Sequence, residues 1–136
     1  MALVLPIPFP IRWFSLINGN TLNQLFGYPQ FSTENAITAT ASGTKATARL
    51  LKATINQISV CATTADSVKL MANPQPGNWQ FLANDGAAAA QVFGSNSDTI
   101  DAVATATGVT VSNAKRSIFY CVAAGLWQSL GGSKTT

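Results

Sequence analysis

Asp98 and Asp101 are the two carboxylates closest together in this 136-residue chain, and a close carboxylate pair is the first place to look for acid–base chemistry or a metal. A glycosidase-type pair must face each other across a sugar, a geometry that two residues three apart in a turn do not supply. A calcium loop needs ligands at alternating positions and a bidentate glutamate, and Ser97-Asp98-Thr99-Ile100-Asp101 has neither. The stretch therefore reads as an Asp-capped turn around a buried Ile100. The chain contains no histidine, which removes His-based triads, HExxH zinc sites and most general acid–base designs. Its serines lack an activating base, and nothing points to a Ser–Lys pair. Gly94-Ser95-Asn96-Ser97 has neither the G-x-G-x-x-G spacing nor a P-loop lysine. Cys61 and Cys121 are 60 residues apart and fit no CxxC or zinc spacing. Each lies in an apolar run, so both are expected to be buried free thiols. A disulfide would imply an oxidising compartment, for which nothing else in the chain argues. The expectation is a protein without catalytic residues, metal or cofactor.

Cations and aromatics carry the remaining chemistry. Lys45, Arg49, Lys52 and the pair Lys115-Arg116 read as solvated or interface charges. Eight Lys and Arg against five Asp and Glu give a net charge of only +3, whereas phosphate binding calls for a concentrated basic stripe. No nucleic-acid partner is expected. Trp79 and Trp127 fall inside strand-like runs and read as core or subunit-interface packing, with a sugar-stacking platform as the second reading. Trp13 and Phe14 differ, because they lie in a proline-rich segment with no evident core of its own. Exposed aromatics of that kind anchor in a partner's groove.

Composition divides the chain near residue 35. The first 31 residues hold six of the twelve aromatics and four of the six prolines. Pro6, Pro8 and Pro10 fix φ and remove amide donors, which forces an extended path. Residues 1–35 are therefore expected to form an extended N-terminal arm, with Phe9, Arg12, Trp13, Phe14, Phe26 and Tyr28 as docking residues. The apolar start lacks a basic n-region and a small-residue cleavage site, so it does not read as a signal peptide. No stretch approaches the 18 or so uninterrupted apolar residues of a membrane span.

From residue 36 to 136 the reading is all-β. Ala36–Ala41, Ala46–Lys52, Gln57–Thr63, Ser67–Met71, Trp79–Asn84, Ala90–Gly94, Val109–Ser112, Ser117–Val122 and Leu126–Leu130 are short β-rich runs separated by turn clusters. Short strands at such spacing predict a β-sandwich or jelly-roll-like domain rather than βαβ units. Asn84-Asp85-Gly86 is expected to turn a hairpin, since Asp and Gly tolerate positive φ. Charged residues are only 10% of the chain and hydrophobic ones 47%. So neutral a protein is expected to hide much of its surface against copies or partners.

The stretch from about Ser42 to Leu130 resembles a small β-rich domain of tailed-phage and prophage structural proteins. The residues that carry the resemblance are Ser42-Gly43-Thr44 with Ala46-Thr47-Ala48, Ile55-Asn56-Gln57-Ile58, Ser67-Val68-Lys69-Leu70, the Pro74–Gly77 turn, Asn84-Asp85-Gly86-Ala87, Gln91-Val92-Phe93, Asp98-Thr99-Ile100-Asp101-Ala102, and an ending of Phe119, Tyr120, Cys121, Ala123-Ala124-Gly125 and Trp127. The long aromatic arm and Asn73-Pro74-Gln75-Pro76 depart from the pattern. The resemblance implies a capsid decoration (cement) or head-fibre protein, often trimeric, in which Val92, Ile100, Phe119 and Trp127 are structural, and it supplies no catalytic residue. The expected function is a non-enzymatic phage virion protein. It would bind the major capsid protein on the outer surface of the capsid as a homotrimer, after synthesis in the host cytoplasm, without nucleic acid or membrane. The alternative is a receptor- or carbohydrate-binding module of a head or tail fibre.

Overall fold

A computed structural model describes residues 31–131 together with Ser133 and Lys134. Eleven strands and no helix occur among the described residues: β1 (Thr33–Thr38), β2 (Arg49–Leu50), β3 (Ile55–Val60), β4 (Ser67–Lys69), β5 (Trp79–Asn84), β6 (Ala90–Phe93), β7 (Thr99–Ile100), β8 (Val109–Val111), β9 (Lys115–Ala123), β10 (Leu126–Leu130) and β11 (Ser133–Lys134). The all-β expectation holds. Strand pairing begins at Thr33, which lies opposite Ile55. The Ala46–Lys52 run, expected as a strand, opens with a turn closed by Ala48 N–H on the Thr44 carbonyl at 2.8 Å, and only Arg49–Leu50 form β2.

The strands form two sheets, one ordered β1-β3-β5-β9-β10-β7 and the other β11-β8-β6-β4-β2. From β1 to β9 the chain alternates between them. Because each return passes through a strand of the opposite sheet, β1, β3 and β5 run parallel, as do β2, β4 and β6. Parallel neighbours ordinarily need a helical crossover. Here the crossover is itself a strand, which is solenoid winding. β8 and β9 then run antiparallel to β6 and β5, and β10 folds back on β9. A jelly roll is built from antiparallel Greek keys, so the path through the first six strands differs from the expected one.

The Asn84-Asp85-Gly86 expectation is corrected. β5 and β6 lie in different sheets, so this is a crossover and not a hairpin turn. Gly86 serves close packing here: a Cβ there would lie 2.5 Å from the Cys61 Cβ. The hairpin is made instead at Ala124-Gly125, where Gly125 has φ +72°.

One core lies between the sheets. Ile37, Ile58, Leu82, Ile100, Phe119, Cys121 and Trp127 enter it from the first sheet, and Val68, Ala90, Val92, Val109 and Val111 from the second. Each fully buried large side chain contributes about 1.5–3 kcal/mol.

The corners are held by buried amides. Gln80 donates from Nε2 to the Ala53 carbonyl at 2.8 Å and the Leu51 carbonyl at 3.3 Å, and its Oε1 accepts from Met71 N–H at 2.7 Å. Asn84 donates from Nδ2 to the Ala88 and Val111 carbonyls, both at 2.9 Å, and accepts from Gly86 N–H at 3.1 Å. Asn56 donates to the Ala53 carbonyl at 2.8 Å. All three side chains are buried. Winding a chain between sheets leaves backbone groups at each corner without ladder partners, and a buried group must be paired. Neutral amides do this without the desolvation cost of a charge.

Candidate functional site: the outer face of the six-stranded sheet

The residues that could have done chemistry are occupied by structure. Asp98 is buried; its Oδ2 accepts from the Trp127 indole Nε1–H at 3.4 Å and its N–H donates to the Ser95 carbonyl at 2.8 Å. Asp101 accepts from Ser129 N–H at 2.8 Å and from the Ser129 hydroxyl. Ile100, between them, is buried, as the Asp-capped turn requires. Both carboxylates are thus engaged by residues of β10, Asp98 by Trp127 and Asp101 by Ser129.

Cys61 and Cys121 are free and buried. Burial, and secondarily the nearby Asp66 carboxylate, pushes the Cys61 thiol up; burial and then Asp98 do the same at Cys121. No three His, Cys, Asp or Glu side chains among the described residues gather as a metal set.

The cations are dispersed. Arg49 pairs with Glu34 at 2.9 Å, Arg116 pairs with Asp85 at 2.8 Å, and Lys69 Nζ donates to the Ala46 carbonyl at 3.0 Å. Lys45 Nζ donates to the Asp98 carbonyl at 3.0 Å. It lies beside a groove of about 460 Å³ lined by Gly43, Thr44, Gln91, Phe93 and Ala106. Burial lowers the Lys45 ammonium from its ordinary value, Asp98 opposes that shift, and Lys69 adds to it. No carboxylate, thiol or second amine lines this groove with it, so no acid–base pair is formed there.

Of the two tryptophans in the β region, Trp127 is wholly buried in the core, which overturns its use as a sugar platform. Trp79 is half-buried, with its ring centroid 4.7 Å from that of Phe31 in an edge-to-face contact.

Trp79 belongs to an unusual surface. Along β9, Ser117, Phe119 and Cys121 point into the core, so Arg116, Ile118, Tyr120 and Val122 point outward. Along β5, Gln80 and Leu82 are fully buried, so Trp79 and Phe81 point outward with Ala83. Register then aligns these side chains. Ile55, Phe81, Ile118 and Leu130 lie directly opposite one another across β3, β5, β9 and β10. A second row sets Trp79 opposite Tyr120 and Gln128. The patch stays accessible: Ile118 is 38% exposed, Phe31 41%, Val122 44% and Leu130 59%.

The polar end of the face is Asp85 and Arg116, with Gln57 donating to Asp85 Oδ2 at 2.6 Å. The Gln57 amide, and then the Arg116 guanidinium, hold the Asp85 carboxyl below its usual range. An antiparallel sheet facing water normally alternates apolar and polar residues. The run Ile118-Phe119-Tyr120-Cys121-Val122 departs from that alternation and places apolar side chains on both faces of β9.

Phe9, Arg12, Trp13, Phe14, Phe26 and Tyr28 lie outside the described residues. Comparison with protein-family models, with curated proteins and with solved structures finds no match.

Proposed function

We propose that the protein is a non-enzymatic structural component of a phage virion, a decoration (cement) protein that binds the outside of the capsid as a homo-oligomer and reinforces the shell. The observation that carries this reading is the register-aligned apolar row Ile55–Phe81–Ile118–Leu130 on the outer face of the larger sheet. Large exposed apolar patches mark protein contacts. The structural employment of Asp98, Asp101 and both thiols supports a contact role over a catalytic one. The two layers over one core support a sandwich-like body, in which the jelly-roll-like path expected from the strand spacing is replaced by a short solenoid closed by antiparallel strands.

In this reading the major capsid protein is the partner, and Phe9, Arg12, Trp13, Phe14, Phe26 and Tyr28 supply contacts to it. Burying their apolar area contributes about 25 cal/mol per Å² before entropy losses. The prolines limit the freedom lost on docking.

The receptor- or glycan-binding alternative narrows to Trp79 with Tyr120, neighbours on the same face. Saturable sugar binding abolished by Trp79→Ala would favour it.

The test is co-sedimentation of the full chain with empty shells of the virus that encodes it. Saturable binding is expected, and Trp13→Ala should weaken it by about 2 kcal/mol per site, roughly thirtyfold. Undiminished binding by Trp13→Ala together with Phe14→Ala would refute the docking role of these residues.

A further inference from the structure

We infer that the outer face of the six-stranded sheet is the contact between two copies of this chain, related by a two-fold axis that runs along the strands between β5 and β9. The inference rests on reading that face as a contact surface, and it names the occupant. Its basis is the self-complementarity of the β5–β9 pair. Rotation by a half-turn about such an axis exchanges the two strand columns while keeping each residue at its level along them. The pairs that lie opposite within one chain, Trp79 with Tyr120 and Phe81 with Ile118, then become the pairs that stack between chains. Trp79 covers the partner's Tyr120, and Phe81 covers the partner's Ile118.

The next columns out obey the same operation. Ile55 on β3 meets Leu130 of the partner subunit on β10, because both belong to the same cross-strand row. At the polar end, Asp85 and Arg116 are already 2.8 Å apart within the chain. The operation brings each toward its opposite charge on the other copy. Aromatic meets aromatic, aliphatic meets apolar, and acid meets base, which is the condition for an isologous interface.

β3, β5, β9 and β10 have six, six, nine and five residues, each covering about 3.3 Å of strand at a spacing of about 4.8 Å. The flat footprint is thus about 400 Å² per copy, the size of a small, reversible contact rather than of a standard interface. The resemblance noted above implies a trimer. A three-fold arrangement would use two different patches per copy, and this face is matched to itself.

Solution mass of the full chain tests the inference. Sedimentation equilibrium at about 50 µM should give twice the 14.2 kDa chain mass. Ile118→Arg should weaken self-association at least tenfold while the circular dichroism spectrum stays close to the parent's. Asp85→Arg and Arg116→Glu should each also weaken self-association, since each gathers four like charges at the contact. Mixed one to one, these two variants should recover the doubled mass as a heterodimer, a rescue that folding defects in either chain would not produce.

A monomer or a trimer of the parent chain would overturn the inference. So would an Ile118→Arg variant that keeps the parent's mass, or a mixture that fails to recover it. The outcomes separate from those of the decoration reading: a dimer that ignores capsid shells refutes decoration alone, and a monomer that binds shells refutes only the two-fold contact.

Discussion

The indole Nε1 of Trp127 donates to Asp98 Oδ2 at 3.4 Å, and both side chains are buried. This contact joins β10 to the turn before β7. It removes from the surface both an aromatic that could have stacked on a sugar and a carboxylate that could have moved a proton. Asp98→Ala would leave the indole N–H unpaired in the core, at a cost of about 1–3 kcal/mol. Asp98→Asn keeps an acceptor and should cost less. Urea unfolding of the two variants against the parent checks the order.

Gln80 is the most heavily used of the buried amides, holding Leu51, Ala53 and Met71 at once. Gln80→Ala removes this partner from the Leu51 carbonyl and the Met71 N–H, while the Ala53 carbonyl keeps Asn56, and the expected loss is about 2 kcal/mol or more. Gln57 is exposed and reaches only Asp85. Gln57→Ala should cost about 0.5 kcal/mol or less. Comparable losses for the two in chemical unfolding would contradict the corner-clamp role.

Acid should unfold the protein partly through Asp66. The Thr63 hydroxyl first, then the Ala62, Thr63 and Ser42 amides, hold its carboxyl below the ordinary range, against an opposing effect of burial. A carboxyl whose folded pKa lies below its unfolded value, about 3.9, stabilises fully above that value. It loses the contribution as pH falls through the folded pKa. The thermal midpoint should therefore drop steeply below about pH 4. In Asp66→Asn the drop should be shallower and the neutral-pH midpoint lower. An unchanged acid slope would contradict this assignment.

The thiols of Cys61 and Cys121 are buried and pushed up from their ordinary value. The thiolate is the reactive form. A disulfide-exchange reagent at pH 8 should label the folded protein slowly and both cysteines rapidly in denaturant. Fast labelling of the folded protein would contradict their burial.

How much of this was legible beforehand depends on the element. β-rich runs separated by Gly, Pro, Asn and Asp marked the strands well, because turn residues announce themselves locally. The winding did not show. Asn84-Asp85-Gly86 carries hairpin chemistry yet crosses between sheets, since a turn sequence does not specify which strand comes next to it. β5 shows the limit in a second way. Trp79 reads equally as core or as interface, and in Trp79-Gln80-Phe81-Leu82-Ala83-Asn84 only the structure shows that Gln80 and Asn84 are inside, holding the corners, while Trp79 and Phe81 face out. With the face of β5 undecided, the outward row through Phe81 could not be foreseen. The docking residues that composition points to, Phe9 to Tyr28, lie outside the described residues.

The claim that most needs testing is that this protein works as part of a virus particle. Quantitative mass spectrometry of purified, salt-washed phage particles, produced by the host strain that carries the gene, tests this proposal directly. The expected result is this chain at a fixed copy number per major capsid protein, digested by protease on intact particles. Its absence from washed particles, with the chain recovered only from the infected-cell lysate, would contradict the account.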